Sequence, residues 1–98
     1  MTIATEFLIE MLRAVRVVES ETSRQEVTAL IHAGAAELKR RGVQSIDLTD
    51  PLTKQAVKLY CKGNYGYDKG NESFVDAFDK LADAMSLSGD YSEAGDTE

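Results

Sequence analysis

The stretch Asp50-Pro51-Leu52-Thr53-Lys54-Gln55-Ala56-Val57-Lys58-Leu59-Tyr60-Cys61-Lys62-Gly63-Asn64-Tyr65 decides the fold. Asp50 can accept from free backbone N–H groups, and Pro51 falls at the first helical position, where its missing N–H costs nothing. At 100° per residue, Leu52, Ala56, Val57, Leu59, Tyr60, Cys61 and Gly63 cover roughly 200° of the circumference, about twice the stripe of a one-sided helix. Such a helix must be packed from more than one side. Lys54, Lys58 and Lys62, each one turn from the next, make the remaining face a wet, positive edge.

Outward from this helix the chain reads as all-α. Ala4 to Val15 predicts a first helix with Phe7, Leu8, Met11, Leu12 and Val15 on one face and Glu6, Glu10 and Arg13 opposite. Val17-Val18 is a short extended connector. A capping box from Thr22 to Gln25, or a cap at Ser20 or Ser23, opens a second helix that runs to about Arg41. Its core stripe is Val27, Leu30, Ile31, Gly34 and Leu38, with Ala35 at the edge. Ala29, Ala33 and Ala36 form a second patch on the other side, read either as high helix propensity or as a close helix–helix contact. Lys39-Arg40-Arg41 suits the negative end of the helix dipole, and Gly42 suits a left-handed cap.

Residues 43–49 form a connector or a short strand anchored by Val43, Ile46 and Leu48. Beyond the central helix, Gly66 to Gly70 is a glycine-punctuated turn. Asn71 or Ser73 caps a fourth helix with Phe74, Ala77, Phe78, Leu81, Ala82 and Met85 on one face, and Glu72, Asp76, Asp79 and Asp83 on the other. Leu87 and Tyr91 are the last apolar anchors. Residues 92–98 read as an acidic, mobile tail on a single helical domain spanning 1–91. The expected fold is a small four-helix bundle-like domain with the third helix at its centre.

The inventory restricts chemistry. The 98 residues contain one cysteine and one histidine, too few for an intrachain disulfide or a metal site of the usual Cys/His kind. No cofactor is implied: the glycines at 63, 66 and 70 follow no strand and lack the Gly-Lys-Ser/Thr element of a phosphate loop. No apolar run is long enough for a bilayer, and the N-terminus lacks a basic leader, so a cytoplasmic site of synthesis is expected. Seventeen acidic against eleven basic residues give a net charge of −6. The excess lies in residues 50–98, with ten acids and five bases, against seven and six in residues 1–49. Such a chain is poorly suited to gripping nucleic-acid phosphates. We expect no enzyme.

Sidedness remains. Lys54, Lys58 and Lys62 make a positive line, and Asp76, Asp79 and Asp83 a negative one. These are either two solvated faces or the two halves of a head-to-tail subunit contact, which closes into a ring when the rotation per step divides the circle.

The order Asp50-Pro51-Leu52, Lys54-Gln55-Ala56, Leu59-Tyr60-Cys61-Lys62 and Asn64-Tyr65-Gly66-Tyr67-Asp68, followed by Phe74 to Phe78 and Met85-Ser86-Leu87-Ser88-Gly89-Asp90-Tyr91, resembles the head-to-tail connector (adaptor, head-completion) family of tailed bacteriophages and prophages. The likeness covers about residues 5–91. Asn64-Tyr65 departs from the aromatic pair or His-Phe common there, and the start of the second helix lacks the acidic run of many members. The resemblance implies a non-enzymatic virion protein forming a cyclic ring of roughly a dozen copies. That ring would dock beneath the portal protein at the head–tail junction, extend the DNA channel without reading sequence, and receive the next head-completion or tail component. Leu87 to Tyr91 is then a portal- or neighbour-docking arm, or a tail packed on its own subunit. The alternative from another class is a small helical DNA-binding regulator.

Overall fold

A computed structural model describes residues 3–65 and 71–88, arranged as four helices: α1 (Thr5–Ala14), α2 (Glu21–Arg40), α3 (Pro51–Asn64) and α4 (Asn71–Leu87). The domain is all-α, with no strand among the described residues. α3 is the hub, packing on α4, α2 and α1.

Each helix boundary has a local cause. Asp50 Oδ2 accepts from the Thr53 backbone N–H at 3.0 Å and Pro51 opens α3, as the sequence predicts. The box at the start of α2 lies two residues before Thr22–Gln25, with Ser20, the alternative cap, as N-cap. The Ser20 N–H donates to Ser23 Oγ at 2.8 Å, and the Ser23 N–H donates back to Ser20 Oγ at 3.1 Å. Serine wins because Ser23 is buried, and its hydroxyl reaches on to the Val18 carbonyl at 3.0 Å. α4 begins at Asn71, so Asn71 and Ser73 lie within its first turn and do not precede it as caps. The 66–70 turn, Tyr91 and the 92–98 tail lie outside the described residues.

α2 ends in a Schellman turn. Gly42 has φ +107°, the Val43 N–H donates to the Leu38 carbonyl at 3.0 Å, and both of those side chains are fully buried. α1 ends the same way without a glycine. Arg16 has φ +61°, and the Val17 N–H donates to the Leu12 carbonyl at 3.3 Å. The Val17-Val18 connector is thus a closed helix cap at its first residue. Residues 43–49 pair with no strand. Asp47 Oδ1 instead accepts from the Thr49 N–H and hydroxyl at 2.9 and 2.7 Å, which bends the chain into α3.

The core joins Phe7, Met11 and Leu12 of α1, Val27, Ile31 and Leu38 of α2, and Ala56, Val57 and Cys61 of α3. Phe78, Ala82 and Met85 of α4 and Val43 complete it. The buried face of α3 is narrower and rotated from the expected arc. Leu52 is 48% exposed and Leu59 only partly buried, whereas Thr53 is fully buried. Thr53 can occupy that place because Asp50 Oδ2 accepts from its hydroxyl at 3.2 Å, so that hydroxyl is not buried without a partner.

Holding an L-residue in the left-handed region costs about 1–2 kcal/mol, more than the entropy cost of a glycine. Arg16→Gly is therefore expected to stabilise the domain by about 0.5–1 kcal/mol and raise its thermal midpoint by about 2–6 °C, read by circular dichroism. A lowered midpoint would mean that the Arg16 side chain contributes more than its backbone strain costs.

Candidate interaction surface

The lysine line is not an open edge. The Lys58 ammonium lies 3.3 Å from the Glu10 carboxylate on α1. Lys62 Nζ sits 4.8 Å from the Phe74 ring centroid on α4, and Lys54 Nζ 6.0 Å from that of Phe7 on α1. All three side chains are half-buried. The stripe is a seam that fastens α3 to both neighbours. Each contact contributes at most about 1 kcal/mol.

The acidic line is also engaged within the chain. Arg41, at the end of α2, donates through Nη2 to Asp79 Oδ1 at 2.7 Å, through Nε to Glu37 Oε2 at 3.0 Å, and stands 3.8 Å from Asp83. Its guanidinium also lies 5.5 Å from the Phe78 ring centroid. One arginine thus clamps α2 to α4. Asp76, one turn earlier, is exposed. Glu37 takes hydrogen bonds from Arg40 as well, and these, followed by those from Arg41, hold its carboxyl down at about 2.

At the far end of α3, the Tyr65 hydroxyl donates to Glu26 Oε1 at 3.0 Å. Burial, reinforced by Glu26, pushes that phenol above its ordinary value. Burial also pushes the Cys61 thiol up to about 12, far from the range of a nucleophile at neutral pH. His32 is exposed on α2. Among the described residues, no cluster of three or more His, Cys, Asp or Glu side chains could hold a metal ion.

Among the described residues, several surfaces stand open. On α2, Ala29 and Ala36 are exposed and Ala33 half-buried. Beside them lies a groove of about 430 Å³ between α2 and the 43–49 connector, lined by His32, Ala35, Ala36, Lys39, Gln44 and Ile46. At the end of α4, Leu87 is 87% exposed, and Val18 stands equally bare between α1 and α2. Sequence periodicity finds the alanine patch and Leu87. It misses the groove, because one wall belongs to a connector whose path no helical period fixes. It reads Arg41 first as a helix-end charge and second as an outside contact, and misses its partner Asp79, 38 residues away.

With this geometry in hand, comparison with known proteins adds no neighbour: no family model, no curated protein and no solved structure matches the chain. No described helix is long and apolar enough to cross a membrane.

Two outcomes test these contacts. Lys58→Glu sets a carboxylate against Glu10 and is expected to lower the thermal midpoint by about 2–6 °C, roughly 0.5–1 kcal/mol. Adding Glu10→Lys should recover most of the loss, and identical midpoints in all three proteins would remove the pair. Glu37 has a depressed folded-state pKa, so its contribution is complete above the unfolded value of about 4.5 and lost as pH falls through about 2. In urea titrations the advantage of the unmodified chain over Glu37→Gln should therefore shrink across that window. An advantage independent of pH would contradict the ion-pair origin.

Proposed function

We propose that this protein is a head–tail connector subunit of a tailed bacteriophage or prophage, a non-enzymatic piece of the virion neck assembled in the host cytoplasm. What supports the reading is the order of parts along the chain: the Asp50-Pro51 cap, the Tyr60-Cys61-Lys62 turn of α3, the aromatic α4, and the Leu87 to Tyr91 ending. The four-helix frame suits such a subunit. In a single copy Ala29 and Ala36 on the outer side of α2 are left exposed, which a contact between copies would bury.

The contact between copies is heterologous, one patch against a different patch, as a ring requires. Lys54, Lys58, Lys62, Asp79 and Asp83 contribute less to it than their spacing implies, because their charges are already met inside the subunit. The alanine face of α2 (Ala29, Ala33, Ala36), the exposed Asp76 and the bare Leu87 are the better interface residues. The ring, of roughly a dozen copies, docks on a portal protein and presents its other side to the next neck or tail component. DNA passes through it without sequence recognition, its phosphates kept off the wall by the net charge of −6.

Native mass spectrometry of the chain, alone and with its cognate portal, tests this. A cyclic oligomer on the portal is expected, and Leu87→Asp should reduce its yield while the helical circular dichroism stays unchanged. A monomer under both conditions that binds generic duplex DNA with a steep salt dependence would overturn the reading in favour of a regulator.

A further inference from the structure

The groove between α2 and the connector has a chemistry that matches the end of this same chain. Its floor is apolar, from Ala35, Ala36 and Ile46, and its rim carries Lys39, His32 and Gln44. Among the described residues Lys39 enters no ion pair, in contrast to Arg40 and Arg41 beside it. The last ten residues, Gly89-Asp90-Tyr91-Ser92-Glu93-Ala94-Gly95-Asp96-Thr97-Glu98, hold four acids, no lysine or arginine, and one aromatic side chain.

Position favours the match. α4 ends at Leu87, and a β-carbon added at Gly42 would lie 3.5 Å from the Ser86 β-carbon. The chain therefore leaves α4 beside Gly42, two residues before Gln44 of the groove. Ten residues extend at most about 33 Å, ample for an opening that begins next to the tether point.

We infer that residues 89–98 fold back onto their own subunit, with Tyr91 on the Ala35, Ala36 and Ile46 floor and the carboxylates of Asp90 and Glu93 against Lys39 and His32. The docking is within one chain because a short tether supplies an effective concentration in the millimolar range, so even a weak contact is populated. A portal or neighbour that takes Leu87 and Tyr91 then competes with this folded-back state. The inference rests on the groove and on the end of α4, and does not depend on the connector reading.

A single nitroxide tests it in the isolated full-length chain. Ala94→Cys supplies the attachment site, since Cys61 is fully buried and its thiol is pushed up to about 12. The expected result is loss of the amide signals of Ala36, Lys39 and Gln44 in dilute, isotope-labelled, spin-labelled protein. A mixture of isotope-labelled chain with separate spin-labelled chain should leave them intact. Lys39→Glu, or NaCl near 1 M, where the Debye length falls to about 3 Å, should restore the lost signals. Intact signals in the doubly labelled chain would overturn the proposal. So would loss seen equally in the mixture, which assigns the groove to a second copy, or loss unaffected by Lys39→Glu.

Discussion

A β-carbon added at Gly34 of α2 would stand 3.1 Å from the Tyr60 ring of α3, and one at Gly63 of α3 would stand 2.8 Å from a Val75 methyl of α4. The rest of the structure depends on these two approaches. α3 is short and must serve three neighbours, so its contacts have to be made at close range by small residues. Ala56, Cys61, Gly63 and the facing Gly34 bring the axes together, and the larger side chains then meet above and below the crossing points. Tyr60 and Phe78, for instance, pack edge to face with centroids 5.2 Å apart. Close approach is also why Thr53 can be buried. With the helices this near, a hydroxyl held by Asp50 fills the remaining space better than a leucine pointing the same way.

The charged groups follow from that packing. Once α1 and α4 lie against α3, the long stems of Lys58 and Lys62 lie along the seams and their ammonium groups end on Glu10 and Phe74. Arg41 is placed between α2 and α4 by the Schellman turn that follows it, and so meets Asp79. Individually these contacts are weak. Their larger effect is on what is left over: most of the regularly spaced charges are used inside the subunit, while Ala29, Ala36, Asp76 and Leu87 stay exposed.

This separates what the sequence makes legible from what it does not. The start of α3 can be read because Asp50 and Pro51 act on backbone groups within one turn. The stop of α2 can be read because Gly42 is the residue a left-handed cap favours. The end of α1 near Val15 can be read from its periodicity, but its left-handed closure is hidden, since nothing marks Arg16 until Leu12 and Val17 close the turn around it. The lysine spacing is visible as a line, but its partner Glu10 lies 48 positions away and on a helix whose crossing angle no periodicity specifies. The arc on α3 comes out rotated for the same reason: apolarity alone cannot weigh Thr53, whose burial depends on a hydrogen bond. The groove beside Lys39 needs a connector path, and that is set by Asp47 and Val43 jointly.

For the connector reading, inward use of the charge lines changes the physics of assembly. If positive and negative stripes met between subunits, attraction would bring copies together and salt would weaken it. With Lys58 and Arg41 already matched within the chain, two copies that each carry a net charge of −6 would repel at long range. Association then has to come from short-range burial of the alanine face and Leu87, with charge acting against it. On that reading, a subunit of this kind would stay apart while dilute and would close into a ring only where a partner concentrates it. On the same reading, the net charge of −6 that opposes premature self-association would also repel the phosphates of a duplex in the channel.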